Sequence, residues 1–96
     1  MANYQFTEKA EHDLESIIDF TVKQWGARQA HSYIDELEDQ CQLLADNPKL
    51  GVQREETHDN LLSFPYQSHV LYYMNDPHGI TIVRVLHHSM DPYKHL

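Results

Sequence analysis

Cysteine is nearly absent from this chain of 96 residues, which carries only Cys41. One thiol excludes an internal disulfide and a cysteine-rich zinc site, and it favours a reducing compartment. Long apolar runs are also missing: residues 70–74 form the longest, whereas a membrane-spanning helix needs about 20 residues. The N-terminal stretch shows no signal-peptide pattern. We therefore expect a cytoplasmic protein with no membrane partner and a single domain over residues 1–96.

Positive charge is scarce as well. Seven Lys and Arg stand against 15 Asp and Glu, which gives a net charge of −8, and residues 1–59 carry thirteen of those acids. Unspecific nucleic-acid affinity comes from cationic side chains that neutralise phosphates, so the free protein is not expected to bind DNA or RNA directly. An acidic first part followed by a neutral, histidine-rich part fits a basic protein partner better.

Helical periodicity dominates the first half of the chain. A short strand over residues 2–7 leads into Thr7, a residue type favoured as a helix cap. Two apolar stripes follow at helical spacing, separated by Gly26 and ended by Asn47-Pro48. The first stripe contains Ala10, Leu14, Ile17, Ile18, Val22 and Trp25; the second contains Ala30, Ile34, Leu37, Cys41 and Leu44. The pattern predicts an antiparallel helical hairpin with Trp25 and Cys41 in the core.

The second half is strand-like. Residues 48–60 are polar and predict a loop. Strands are predicted at 61–64 (ending at Pro65), 69–74 and 80–86, joined by tight turns into an antiparallel meander. The predicted fold class is α+β: a short N-terminal strand and a helical hairpin packed on a three-strand antiparallel meander.

The last strand is apolar on both faces. Simple alternation puts Ile80, Ile82, Arg84 and Leu86 on one face, with His87 on the other. Because two helices cover only one face of a sheet, we expect the first group to form an exposed strip for a protein partner. The alternative is that residues 90–96 fold back over it. Arg84 could instead form an ion pair with a helix carboxylate or Asp91.

Three further residues are candidates for partner contact. Trp25 and Arg28 flank the hairpin tip, where they could project from the fold, and Arg54 is a basic residue in an acidic loop. His87, His88, Asp91 and His95 are residue types that can bind a metal ion. They do not form a closed four-ligand signature, however, and His87 and His88 would point to opposite faces of a strand. No metal and no cofactor are therefore expected.

The order of elements and several short motifs resemble one known family. They are AEHDLESI from Ala10, Trp25-Gly26, LADNPKLG ending at Gly51, Phe64-Pro65, Tyr72-Tyr73, and IVRVLH from Ile82. Together they are similar to the ParE branch of the RelE/ParE toxin superfamily. The resemblance implies a non-enzymatic toxin of a type II toxin–antitoxin pair, neutralised by a ParD-like antitoxin, which inhibits DNA gyrase by trapping it on cleaved DNA.

Two alternatives stay open. The RelE branch implies a ribosome-dependent mRNA endonuclease, for which Arg84, His88, Tyr93 and Lys94 could supply the cation, acid and base. A non-toxic member that only binds an antitoxin is the other alternative. It is motivated by departures from the ParE pattern, in which Leu62-Ser63 stand where Arg is common and Gln67 where Gly is common.

Overall fold

A helical hairpin packs on one face of a five-stranded sheet. The computed structural model describes residues 2–96. In chain order the elements are β1 (Asn3–Phe6), α1 (Glu8–Trp25), α2 (Ala27–Asp46), a 3-10 turn (Pro48–Leu50), β2 (Val52–Gln53), β3 (Leu62–Tyr66), β4 (His69–Asp76), β5 (Gly79–His87) and a final helical turn, α3 (Pro92–His95). The strand order is β1-β5-β4-β3-β2, parallel only between β1 and β5. The predicted α+β class is confirmed.

The helix boundaries follow from local chemistry. The Thr7 hydroxyl accepts a hydrogen bond from the Ala10 amide at 3.1 Å, which caps α1 as its position predicts. Gly26 separates the helices with a φ of 94°, a conformation in which glycine carries no steric penalty. The second helix ends at Asp46, before Asn47-Pro48. None of the helices within residues 2–96 is both long and apolar enough to cross a membrane.

The main core lies between the helices and the sheet. From α2 it takes Leu37, Cys41 and Leu44, so the second apolar stripe is confirmed as the buried one. Burial raises the pKa of the Cys41 thiol to about 12, which keeps it protonated and unreactive near neutral pH. The sheet contributes Leu71, Tyr73, Ile80, Ile82 and Val85, among others.

The prediction of an exposed strip on β5 is wrong. Ile80 and Ile82 are 0% exposed within the main core, whereas Leu86 is 2% exposed in a second cluster with Leu61 and Tyr72. Ile80 and Ile82 lie on the face that meets the helices. Leu86 lies on the opposite face because of a β-bulge: Tyr72 pairs with Arg84 and Tyr73 pairs with Ile82, so β5 has one extra residue and its alternation reverses there. The side chain of Leu96 packs on the second cluster, as the fold-back alternative required.

Two smaller predictions also needed correction. Residues 48–60 are not entirely loop, because they contain the 3-10 turn and β2, a two-residue strand that pairs with β3 through Val52 and Gln53. The third strand does not stop at Pro65 but continues to Tyr66. Proline is accommodated there because β2 pairs only with Leu62 and Ser63, which leaves the outer edge of β3 without a strand at Pro65.

Gly79 is required by the parallel pairing of β1 with β5. Its φ is 148°, and an added Cβ would lie 1.9 Å from the Asn3 carbonyl oxygen, a backbone atom that cannot move aside. We expect Gly79→Ala to lower the free energy of unfolding by about 2–4 kcal/mol, through combined clash and backbone strain. Gly26→Ala is the matched control, since its φ is also positive but nothing lies within 4 Å of its Cβ position. It should incur only the backbone strain, about 1–3 kcal/mol, and therefore a smaller loss than Gly79→Ala. Equal losses in urea titrations would contradict this account.

Candidate functional site

The apolar residues in the second half of α1 are exposed to solvent. Ala10 and Ile17 are the only buried residues of the whole helix α1, so beyond Ile17 its apolar stripe faces solvent. Trp25 is 73% exposed and Phe20 is 64% exposed, and Ile18 and Val22 are exposed as well. The prediction of Trp25 as a core residue is therefore wrong, and the alternative that it projects at the hairpin tip is confirmed. An apolar surface of this kind on a small protein is typical of a binding site for another protein.

An open groove of about 530 Å³ runs beside this exposed helix face. One wall is α1, the other is formed by the ends of β4 and β5, and α2 and the C-terminal tail close its two sides. The apolar lining comes from Ile17, Phe20, Trp25, Val85 and Met90, and the polar lining from Asp13, Ser16, Thr21, Gln29, Tyr33, Gln67, Ser68, His69, Arg84, His87 and His95. The volume falls within the range of ligand and peptide sites.

A largely buried ion pair lies in the wall of the groove. Arg84 donates from Nε and Nη2 to the two carboxylate oxygens of Asp13, at 2.7 and 2.8 Å. The same carboxylate accepts the Val85 amide, and Arg84 Nη1 donates to the His95 carbonyl. These hydrogen bonds to Asp13 raise the pKa of Arg84 further above its usual value. Every guanidinium nitrogen is therefore occupied within the fold, and the ion-pair alternative for Arg84 is confirmed.

Aromatic and imidazole rings form the far end of the groove. The Tyr33 hydroxyl and His69 Nδ1 are hydrogen-bonded at 2.6 Å, and His69 lies opposite His87 across the β4–β5 ladder. Tyr66 stacks near Tyr33 and donates its hydroxyl to Glu36 at 2.6 Å. Burial, together with this hydrogen bond to Glu36, raises the pKa of Tyr66 to about 12. The phenols of Tyr33 and Tyr66 therefore stay protonated at pH 7.

The structure gathers some of the predicted contact residues and separates others. Trp25, Arg84 and His87 line the groove together. Arg28 lies in the first turn of α2 and is exposed, outside the groove lining. Arg54 is in the loop before β3, where its Nε donates to the Ser63 hydroxyl at 2.8 Å and its Nη1 approaches Glu56 at 3.6 Å. The Arg54 side chain is therefore paired with a residue of its own loop and with one of β3.

The residues considered for ribonuclease chemistry do not converge on one point in the groove. Arg84 is engaged by Asp13 and His95, so it would have to break those bonds to bind a phosphate. Tyr93 and Lys94 are exposed on α3 and lie outside the groove lining, as does His88. The arrangement therefore offers no ready cation for a scissile phosphate.

The residues considered for a metal site are arranged differently from the expectation. His87 and His88 do not point to opposite faces: their ring centroids are 4.3 Å apart with an interplanar angle of 30°. The strand ends at His87, so the alternation of a strand no longer applies to His88. Within the described part of the chain, no group of three or more His, Cys, Asp or Glu is placed to hold a metal ion.

Sequence reasoning missed several residues of the groove. Phe20 lies off the predicted helical stripe, and Tyr33, His69 and Met90 come from three separate segments. A signal for Phe20 was available, since a large aromatic residue on a polar helix face is itself unusual. No signal in the sequence places the other three beside α1, because only the tertiary fold brings them there.

Comparison with known proteins identifies the family. Residues 4–92 match the model of the ParE toxin of type II toxin-antitoxin system, parDE. Toxin ParE1 of Caulobacter vibrioides is 31% identical over 96 residues, covering 100% of this chain and 99% of that protein. Toxin ParE1 of Mycobacterium tuberculosis is 34% identical over 96 residues, covering 99% and 98%. The chain belongs to the ParE toxin family of type II toxin–antitoxin systems.

A solved structure shares the fold. The structure described as the chromosomal ParDE TA system from P. aeruginosa superposes with a TM-score of 0.76 at 20% identity, covering 91% of this chain and 96% of that one. At this identity the likeness concerns the fold alone. The resemblance to ParE toxins noted in the sequence is confirmed.

Proposed function

We propose that this chain is the toxin of a ParDE-type pair, that it inhibits DNA gyrase by protein contact in the cytoplasm, and that a ParD-like antitoxin neutralises it. Membership of the ParE family over residues 4–92 is the observation that carries the proposal. In this proposal the protein acts by binding and not by catalysis. The engagement of Arg84 by Asp13 supports this, because a ribonuclease of this fold would need a free cation at the phosphate.

The groove beside α1 is the proposed docking site of the antitoxin. A partner segment with apolar side chains would cover Phe20, Trp25 and Met90, which the fold leaves exposed. Charge favours basic residues on either side of that segment, because the outer faces of the two helices carry exposed carboxylates and the chain has a net charge of −8. Burial of these apolar side chains would then supply most of the affinity. The carboxylates would increase the rate of association by attracting the basic partner.

A gyrase assay tests the proposed activity. Purified toxin at micromolar concentration is added to gyrase, ATP and relaxed plasmid, and supercoiling and protein-linked DNA breaks are scored on gels. We expect loss of supercoiling and accumulation of linear DNA, both prevented when the toxin is first mixed with the small protein encoded by the adjacent gene. Unchanged supercoiling with folded toxin, together with cut transcripts in a translation extract, would favour the ribosome-dependent nuclease instead.

A further inference from the structure

Three imidazole rings lie close together at the far end of the groove, where His69 and His87 line it and His88 adjoins His87. His69 begins β4 and His87 ends β5, and their ring centroids are 5.6 Å apart at 90°. The ring centroid of His88 lies 4.3 Å from that of His87, with an interplanar angle of 30°. We call these three residues the histidine cluster. Rings this close cannot all be charged at moderate cost, because each added proton repels the others.

Hydrogen bonds engage the Nδ1 atoms of two of these rings. The Ser89 amide donates to His87 Nδ1 at 3.2 Å, and a backbone N–H can only donate, so this nitrogen carries no proton. Charging His87 therefore breaks this bond. His69 is hydrogen-bonded to Tyr33 through Nδ1. Burial lowers the pKa of His69 below its ordinary value, and charge on His87 and His88 lowers it further.

The carboxylates around the cluster already have hydrogen-bond partners. From α2, the cluster faces the phenol of Tyr33, and from β3 the phenol of Tyr66 adjoins it. The carboxylates of Glu36 and Asp13 are already hydrogen-bonded, to Tyr66 and to Arg84. Arg84 and His95, which line the same groove, supply no negative charge. An imidazolium in the cluster would thus have to compete with Tyr66 and Arg84 for these carboxylates.

We propose that the histidine cluster makes occupancy of the groove sensitive to acid: the antitoxin binds tightly while the three imidazoles are neutral and is released as they take up protons. This inference rests on the proposed docking of the antitoxin in the groove. His69 and His87 line that groove, so an apolar partner segment seated there removes their water, and a charged imidazole loses more on desolvation than a neutral one. A basic partner is also repelled by an imidazolium.

The sign of the effect follows from linkage. Covering the cluster lowers the histidine pKa values in the complex below those in the free toxin, so the complex binds fewer protons. The affinity is then at its maximum above the pKa values of the free toxin, and it falls as the pH drops through them. A pKa that is one unit lower in the complex weakens binding by up to about tenfold. Between pH 7.5 and pH 5.5 we expect about a three- to tenfold rise in Kd.

Calorimetric titration with the purified protein encoded by the adjacent gene tests this, at pH 7.5, 6.5 and 5.5 and constant ionic strength. The ratio of Kd between the two extremes is compared for wild type, a His69→Gln/His87→Gln double variant and the control His31→Gln. His31 lies on α2 outside the groove, with its side chain 83% exposed. We expect the ratio to fall towards one in the double variant and to persist in the control. A wild-type Kd that does not change with pH, or equal ratios in all three proteins, would overturn the inference while leaving the proposed function intact.

Two further results distinguish a failure of the proposed docking from a failure of the pH dependence. Absence of binding at every pH, from toxin whose near-ultraviolet circular dichroism is native, would refute the proposed docking and with it this inference. An NMR titration of the histidine C2–H resonances in the free toxin does not need the partner at all. There, His87→Gln should raise the pKa of His69, since it removes a neighbouring positive charge. An unchanged pKa of His69 would also overturn the inference.

Discussion

Phe20→Glu should weaken binding of the antitoxin by about 100-fold or more. Phe20 lines the groove and is 64% exposed, so its ring is free to be buried by a partner. The substitution removes that apolar burial and places an unpaired carboxylate in the interface, and each of these effects costs binding free energy. The stability of the toxin alone should change by no more than about 0.5 kcal/mol, because the side chain contributes little to the core. Calorimetry measures the affinity and urea unfolding the stability.

Leu50→Glu is the matched control for that experiment. Leu50 is also an exposed apolar residue, it lies in the 3-10 turn outside the groove lining, and the substitution changes the net charge by the same amount. We expect its affinity to stay within about threefold of wild type. Similar losses in both variants would show that net charge and not the groove governs binding, and an unaffected Phe20→Glu variant would exclude the groove as the docking site.

The second large effect is expected on stability, from Asp13→Ala. The Asp13 carboxylate accepts hydrogen bonds from Arg84 and from the Val85 amide, and both side chains of the ion pair are more than four-fifths buried. Removing it leaves a guanidinium and a strand amide without their partner. A loss of about 3–5 kcal/mol is typical when one member of a buried pair is deleted. Urea unfolding of the purified toxin measures it.

Asp35→Ala provides the comparison. The Asp35 carboxylate lies 3.5 Å from the His31 imidazole on the exposed face of α2, and exposed contacts of this kind contribute little. We expect a change of no more than about 0.5 kcal/mol. An Asp13→Ala/Arg84→Met double variant should recover part of the loss, because it removes the unpaired charge as well. A single Asp13→Ala variant as stable as Asp35→Ala would contradict the role assigned to the pair.

The helices were predictable because their signals are local. Thr7, Gly26 and Asn47-Pro48 mark the ends through their own backbone preferences, and the stripe of α2 matches the buried face. Periodicity could not tell which part of the α1 stripe is covered. Ile17 and Trp25 share the same spacing pattern, yet one is buried and the other is the most exposed large apolar residue described. That difference depends on where the sheet lies along the helix, which is a tertiary property.

The sheet was less predictable for a related reason. Alternation assigns faces correctly only while the register is regular, and one extra residue in β5 reversed the faces of Ile82 and Leu86 relative to each other. The two residues of β2 are too few to form a pattern. The candidate site was found in part: Arg84, His87 and Trp25 were named from the sequence, whereas their convergence with Phe20 required the fold.

Induced expression of the toxin without its antitoxin tests the central claim most directly. Growth, DNA-damage signalling and bulk translation are followed in the same culture, with co-expression of the adjacent gene as the control. A gyrase inhibitor predicts growth arrest with filamentation and DNA breaks while translation continues, and full rescue by co-expression. Translation that stops first, with cleaved transcripts and intact DNA, would contradict the proposal, as would normal growth in cells that contain the folded protein.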